Sequence, residues 1–134
     1  MPTFRKFDTF TADLANGLQD LSSDQLIVAL CSSSPSVTNT SISDLVEISY
    51  SNISSNRLVT TVSSTQSSGV YRLILQDKVL IASGALPTFQ YIAIVNYTRS
   101  RLVGFSDAGS VVSVGAGETY TVGFDQANGA VSIQ

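Results

Sequence analysis

The chain has 134 residues, 43% of them hydrophobic and 13% charged, with a formal net charge of −3, one cysteine and no histidine. That length fits a single domain with a core of its own, and so little charge among so much Val, Ile, Ser and Thr favours a folded β protein over disorder. A weakly negative chain has no electrostatic handle on nucleic acid, one cysteine cannot close a disulfide within the chain, and the missing histidine removes both the usual proton shuttle near neutral pH and the commonest metal ligand.

Met1 to Thr11 lacks the apolar core of a leader, and no window approaches the run of about eighteen apolar residues that crosses a bilayer, so the chain reads as made in the cytoplasm with no membrane partner. Residues 1–8 read as an arm on one domain spanning residues 1–134. In it Phe4, Arg5, Lys6 and Phe7 can bury their rings in a partner while their charges meet that partner's carboxylates. The alternatives are an ordinary solvated terminus, or two phenylalanines packed under the chain's own sheet.

Thr9 to Leu18 is the one convincing helix. Phe10, Leu14 and Leu18 share a face, Thr9 or Thr11 can cap it, Asp13 sits near its positive end, and Asn16-Gly17 ends it. Leu26 to Cys31 follows as a strand apolar on both faces. Cys31 is then a small core residue. Ser32 to Thr40 is a loop, since Ser, Asn and Pro offer the backbone local hydrogen bonds in place of a ladder. Ile42 to Ile48 is either a helical turn or a loop, and Leu45, Val46 and Ile48 should be buried in both cases. Ser49 to Asn56 is polar, mobile or ligand-facing.

Leu58 to Ser64 is a strand, Thr65 to Gly69 a turn, and Val70 to Gln76 a strand with Tyr71, Leu73 and Leu75 on its apolar face. Lys78 to Ala82 is the next strand. Phe89 to Val95, the turn Asn96 to Ser100, and Arg101 to Phe105 make a central hairpin whose first strand needs protein on both sides. Asp107 to Ser110 is a turn. Val111 to Val114 then pairs with Thr119 to Phe124 across Gly115 to Glu118, and Ala130 to Ile133 closes the sheet after Asn128-Gly129. The sum is an all-β fold, an antiparallel β-sandwich or flattened barrel with one short N-terminal helix.

Little in this pattern carries chemistry. The acids fall in caps and turns, with Asp107 and Asp125 opening Gly-containing turns as Asx hydrogen bonders, so neither a paired-carboxylate site nor a metal site is expected. Gly115 and Gly117 lie between strands, which makes a hairpin turn and not a phosphate cradle. A serine nucleophile would need a base, and no motif provides one. Hence no enzyme and no cofactor. Arg99 and Arg101 stand two apart and suit an acidic partner surface.

Phe7, Phe10, Asp13-Leu14-Ala15-Asn16-Gly17, Leu21, Ser23-Asp24-Gln25-Leu26, Val28-Ala29-Leu30 and Pro35 together resemble the opening of a family of small structural proteins of tailed bacteriophages. The similarity runs on through Asp44-Leu45, Glu47-Ile48, Ser68 to Leu73, Phe89-Gln90-Tyr91, Ala93 to Asn96, Leu102 to Phe105, Asp107, Gly109, Gly117 to Val122 and Phe124-Asp125. It covers nearly the whole chain. The resemblance implies a virion component, made in the host cytoplasm and carried on the outer surface of the capsid. Its partner would be the major capsid protein, which it would cement as a homotrimer, with Phe4, Arg5, Lys6 and Phe7 as the shell-facing arm. A head–tail connector or tail protein is the alternative. A further class is a carbohydrate-binding module for host attachment, with Tyr50, Tyr97 or Tyr120 as stacking faces.

Overall fold

β-branched and aromatic runs separated by Ser, Asn, Asp and Gly fold into ten strands and one helix in the computed structural model, which describes residues 4–133. The strands are β1 (Arg5–Lys6), β2 (Leu26–Cys31), β3 (Leu58–Val59), β4 (Thr61–Ser67), β5 (Val70–Leu75), β6 (Lys78–Ile81), β7 (Phe89–Asn96), β8 (Arg101–Val112), β9 (Thr119–Val122) and β10 (Val131–Ile133). Helix α1 is Asp8–Ala15. Every strand pairing is antiparallel. A five-stranded sheet runs β1-β8-β7-β2-β3, a three-stranded sheet β10-β5-β4, and β6 pairs with β9.

The period of two along β2 and β7 explains the layering. Leu26, Val28, Leu30, Ile92 and Ile94 face one way and share a core with Leu73, Leu75, Leu80, Val122, Phe124 and Val131 of the smaller sheets and with Phe10 of α1. Ala29, Cys31, Ala93 and Val95 face the other way and pack with Phe7, Leu45, Leu102 and Phe105, with Val37 and Ile42 against them. The strand that needed cover on both sides has it. Its second cover is the chain's own segment from Val37 to Leu45, so no partner is required there. The result is an antiparallel sandwich, because β1 and β3 end the larger sheet without meeting.

Several elements differ locally from what the sequence predicts. α1 starts one residue early, at Asp8, after Phe7 as an N-cap that offers no side-chain hydrogen bond, so neither threonine caps it. Its end is as expected, with Asn16 as C-cap and Gly17 at φ +70°. Ile42–Asp44 is a single 3₁₀ turn; Leu45 and Ile48 beyond it are buried, but Val46 is 52% exposed. The expected strand from Leu58 to Ser64 is two strands, since the chain leaves β2 at Val59 and joins β5 from Thr61 onward. The turn after it is tighter than expected: β4 runs on to Ser67, and Ser68 and Gly69 turn at φ +53° and +80°.

The Asp107 turn survives only as a bulge inside β8. Tyr91 pairs with Asp107 and Phe89 with Val112, so the longer β8 side loops out around Gly109 at φ +93°. That leaves no partner strand for Thr119 to Val122 in Val111 to Val114. β9 pairs with β6 instead.

Candidate functional site

The arm is not free. Phe4 is 7% exposed and Phe7 1%, with ring centroids 5.5 Å from Phe124 and 5.1 Å from Phe105. Alternation along an extended segment sends Phe4 and Lys6 to one face and Arg5 and Phe7 to the other, so the two rings enter the cores on opposite sides of the large sheet. Arg5 pairs with Phe105 and Lys6 with Gly104, where a Cβ would stand 2.8 Å from the Arg5 carbonyl oxygen; glycine there is what lets β1 approach. Phe4 and Phe7 therefore belong to the chain's own core. Arg5 remains exposed over the Phe105 ring, and Lys6 Nζ donates to the Ser132 carbonyl at 2.9 Å. Residues 1–3 of the expected arm lie outside the described residues.

Arg99 and Arg101 also have partners within the chain. Arg99 lies in the β7–β8 turn and Arg101 opens β8, so they do not share a strand face. Arg99 Nε meets Asp24 Oδ1 at 3.3 Å, and Arg101 Nη1 lies 3.7 Å from Asp13 Oδ1. Between these pairs runs a buried amide relay. Asn96 Nδ2 donates to Asp24 Oδ2 at 2.9 Å and to Gln19 Oε1 at 3.1 Å. Gln19 Nε2 donates to Asp13 Oδ2 at 3.3 Å and to the Leu102 carbonyl at 3.0 Å. Burial pushes the Asp24 carboxyl up, but donation from the Asp20 N–H, the Asn96 amide and the Arg99 guanidinium outweighs it and holds the group below its ordinary value. This network clamps α1 and the segment after it to the central hairpin. Each arginine side chain is still 42% exposed, which leaves part of its fork open to solvent.

Asp107 and Asp125 cap turns as expected. Asp107 Oδ1 accepts from the Gly109 N–H at 2.7 Å, and Asp125 Oδ1 from the Ala127 and Asn128 N–H groups at 2.9 Å. Cys31 is fully buried, and burial first, then Glu47, pushes its thiol up to about 12. Among the described residues no three His, Cys, Asp or Glu side chains gather as a metal site requires.

No family model matches the chain, and no curated protein or solved structure shows significant similarity to it.

From the segment Ser49 to Asn56, Tyr50, Ile53, Ser55 and Asn56 line a concave surface together with Ile27, Arg57, Leu58 and Tyr97. Tyr50 lies half-buried, accepting the Leu30 N–H at 3.0 Å on a hydroxyl that also donates to Glu47. Arg57 lays its guanidinium 3.6 Å from the Tyr50 ring centroid and donates from Nη1 to the Val28 carbonyl at 2.6 Å. Tyr97, 63% exposed on the β7–β8 turn, lines the same cavity, as does Ile27. Of the three tyrosines suggested as stacking faces, the fold brings Tyr50 and Tyr97 to one groove. Tyr120 is elsewhere, edge-on to Phe89 at 5.3 Å. The link between Arg57 and Tyr50 has no periodic signature in the sequence.

Proposed function

We propose that the chain is a non-enzymatic virion structural protein, a capsid decoration subunit that binds the major capsid protein on the outer shell as a homotrimer. The reading rests on the resemblance to small structural proteins of tailed phages, which spans almost the full sequence. The structural observation that carries it is the outer edge of β4. Seven residues long and without a charge, β4 ends its sheet with no backbone partner on that side among the described residues, and Val62 on it is 60% exposed. Lone proteins blunt such edges with lysine, proline or very short strands, as this chain does by keeping β1 and β3 to two residues each. An uncharged, open β4 suits a subunit whose work is to fit against other protein surfaces.

With Phe4 and Phe7 committed to the core, Arg5 and the open parts of Arg99 and Arg101 are free to meet shell carboxylates. Three weak contacts per trimer then reinforce one another once the first has docked. The test is a reconstruction of the particle together with light scattering of the free protein. Density on the outer shell and a mass near three chains support the proposal. A ring at the portal or along the tail moves the protein to the connector or tail reading, where ring symmetry replaces the trimer. Thr65→Lys on the β4 edge should abolish assembly while leaving the monomer folded; a variant that assembles unchanged removes β4 from the argument.

A further inference from the structure

The groove between Tyr50 and Tyr97 shares no lining residue with β4, and it brings Arg57, Glu47 and two tyrosines together. Two adjoining cavities of about 380 and 240 Å³ share Ile27, Arg57 and Tyr97. Each is near the lower end of the range for small-molecule sites, and together they make a trough across the outer face of β2 and β7. Glu47 and Ser100 line the smaller cavity, Asn56 and Ser55 the larger.

We propose that this trough is a binding site for a neutral oligosaccharide, with one sugar stacked on Tyr97 and its hydroxyls shared between Arg57 and Glu47. The charge balance selects neutral ligands. A guanidinium and a carboxylate line the same cavity, so an anion gains Arg57 but meets Glu47, and a cation meets the reverse. The donor and acceptor balance selects polyols. The Arg57 fork only donates and the Glu47 carboxylate only accepts, while each sugar hydroxyl does both. A wholly aliphatic occupant would desolvate both charges and return no hydrogen bond. The apolar part of the trough matches the other character of a pyranose, whose C–H face carries partial positive charge and sits well on the negative face of an aromatic ring.

The polar groups are also preorganised. Arg57 is held by the Tyr50 ring and the Val28 carbonyl, and Glu47 is held by the Tyr50 hydroxyl, so little rotamer freedom remains to be lost on binding. The site does not depend on assembly. It is present in a single chain, and its failure would leave the shell proposal standing.

The test is an NMR titration of the free full-length protein with maltotriose, cellotriose, triacetylchitotriose and trigalacturonic acid. At least one neutral trisaccharide should shift the amides around Tyr50, Arg57 and Tyr97. Tyr97→Ala should weaken that binding by about tenfold, the order of one aromatic contact. Because Tyr97 is mostly exposed, this variant should melt where the parent does, so a lost signal is not lost fold. Glu47→Gln, which keeps an oxygen for the Tyr50 hydroxyl, should weaken it as well. The proposal is overturned if none of the neutral sugars binds, if trigalacturonic acid binds more tightly than all of them, or if Tyr97→Ala changes nothing.

Discussion

Replacing Phe7 by alanine should remove a large share of the stability of a protein whose N-terminal residues look, on paper, dispensable. Phe7 is 1% exposed and fills space between Phe105, Ala29, Cys31 and Leu45, most of it walled by hydrogen-bonded strands that cannot close over a void. Truncating a buried phenylalanine in such a place costs about 3–5 kcal/mol, against a total stability of about 5–15 kcal/mol for a domain. At roughly 4 °C per kcal/mol for this length, the melting midpoint should fall by roughly 12–20 °C. Arg5→Ala, one pleat away and exposed, should stay within about 0.5 kcal/mol of the parent. Deleting residues 2–7 removes both phenylalanines and β1 together and should leave no folded monomer. With no tryptophan in the chain, far-ultraviolet circular dichroism in urea is the suitable readout. Equal midpoints for Phe7→Ala and Arg5→Ala would show that the segment is a detached arm after all.

Three further outcomes follow from the same structure. Gly69→Ala and Gly129→Ala both force alanine to a left-handed φ, +80° and +88°, at a cost of about 1–2 kcal/mol. Only Gly129 meets backbone, with a Cβ 2.9 Å from the Leu73 carbonyl oxygen, so its variant should lose about 1–3 kcal/mol more in the same urea titration. Acid should weaken the clamp. Asp24 is held below its ordinary 3.8, so its contribution is complete above that value and is lost as the pH falls through the lower folded value; Asp24→Asn should be less stable near neutrality and lose less between pH 4 and pH 2. Finally, Cys31 should resist a thiol reagent at pH 8 in the folded protein and react at once in denaturant; fast labelling of the native state would contradict its burial.

What the sequence made legible was whatever repeats or punctuates locally. β2 and the stretch Tyr91 to Val95 of β7 announce themselves as unbroken apolar runs, and the need for cover on both their faces follows. Gly17 past α1 and Gly69 after β4 mark turns because left-handed backbone is cheap only there. The residues Phe4 to Phe7 were ambiguous for a physical reason: a two-residue strand has no period, and an aromatic–basic–aromatic string suits an interface as well as a core. The break at Thr60 was invisible because Leu58 to Val62 favours a strand throughout, and only the tertiary change of partner from β2 to β5 divides it. The β6–β9 pairing was hidden for the same reason. Within the sites, Asp13 and Asp24 looked like caps, and nothing local says that Gln19 and Asn96, far apart in the chain, meet between them. The groove was half legible, through two of its tyrosines.

The order of the large sheet has a further consequence for how the protein is made. β2 emerges from the ribosome early, apolar on both sides, but its neighbour β7 is completed only at Asn96, and β7's other neighbour, β8, later still. For the synthesis of some seventy residues, therefore, the stickiest strand has no native partner on its β7 side. A nascent chain stalled before Tyr97 should engage holding chaperones, and the released full-length chain, with Val122, Phe124 and Val131 in the core, should not.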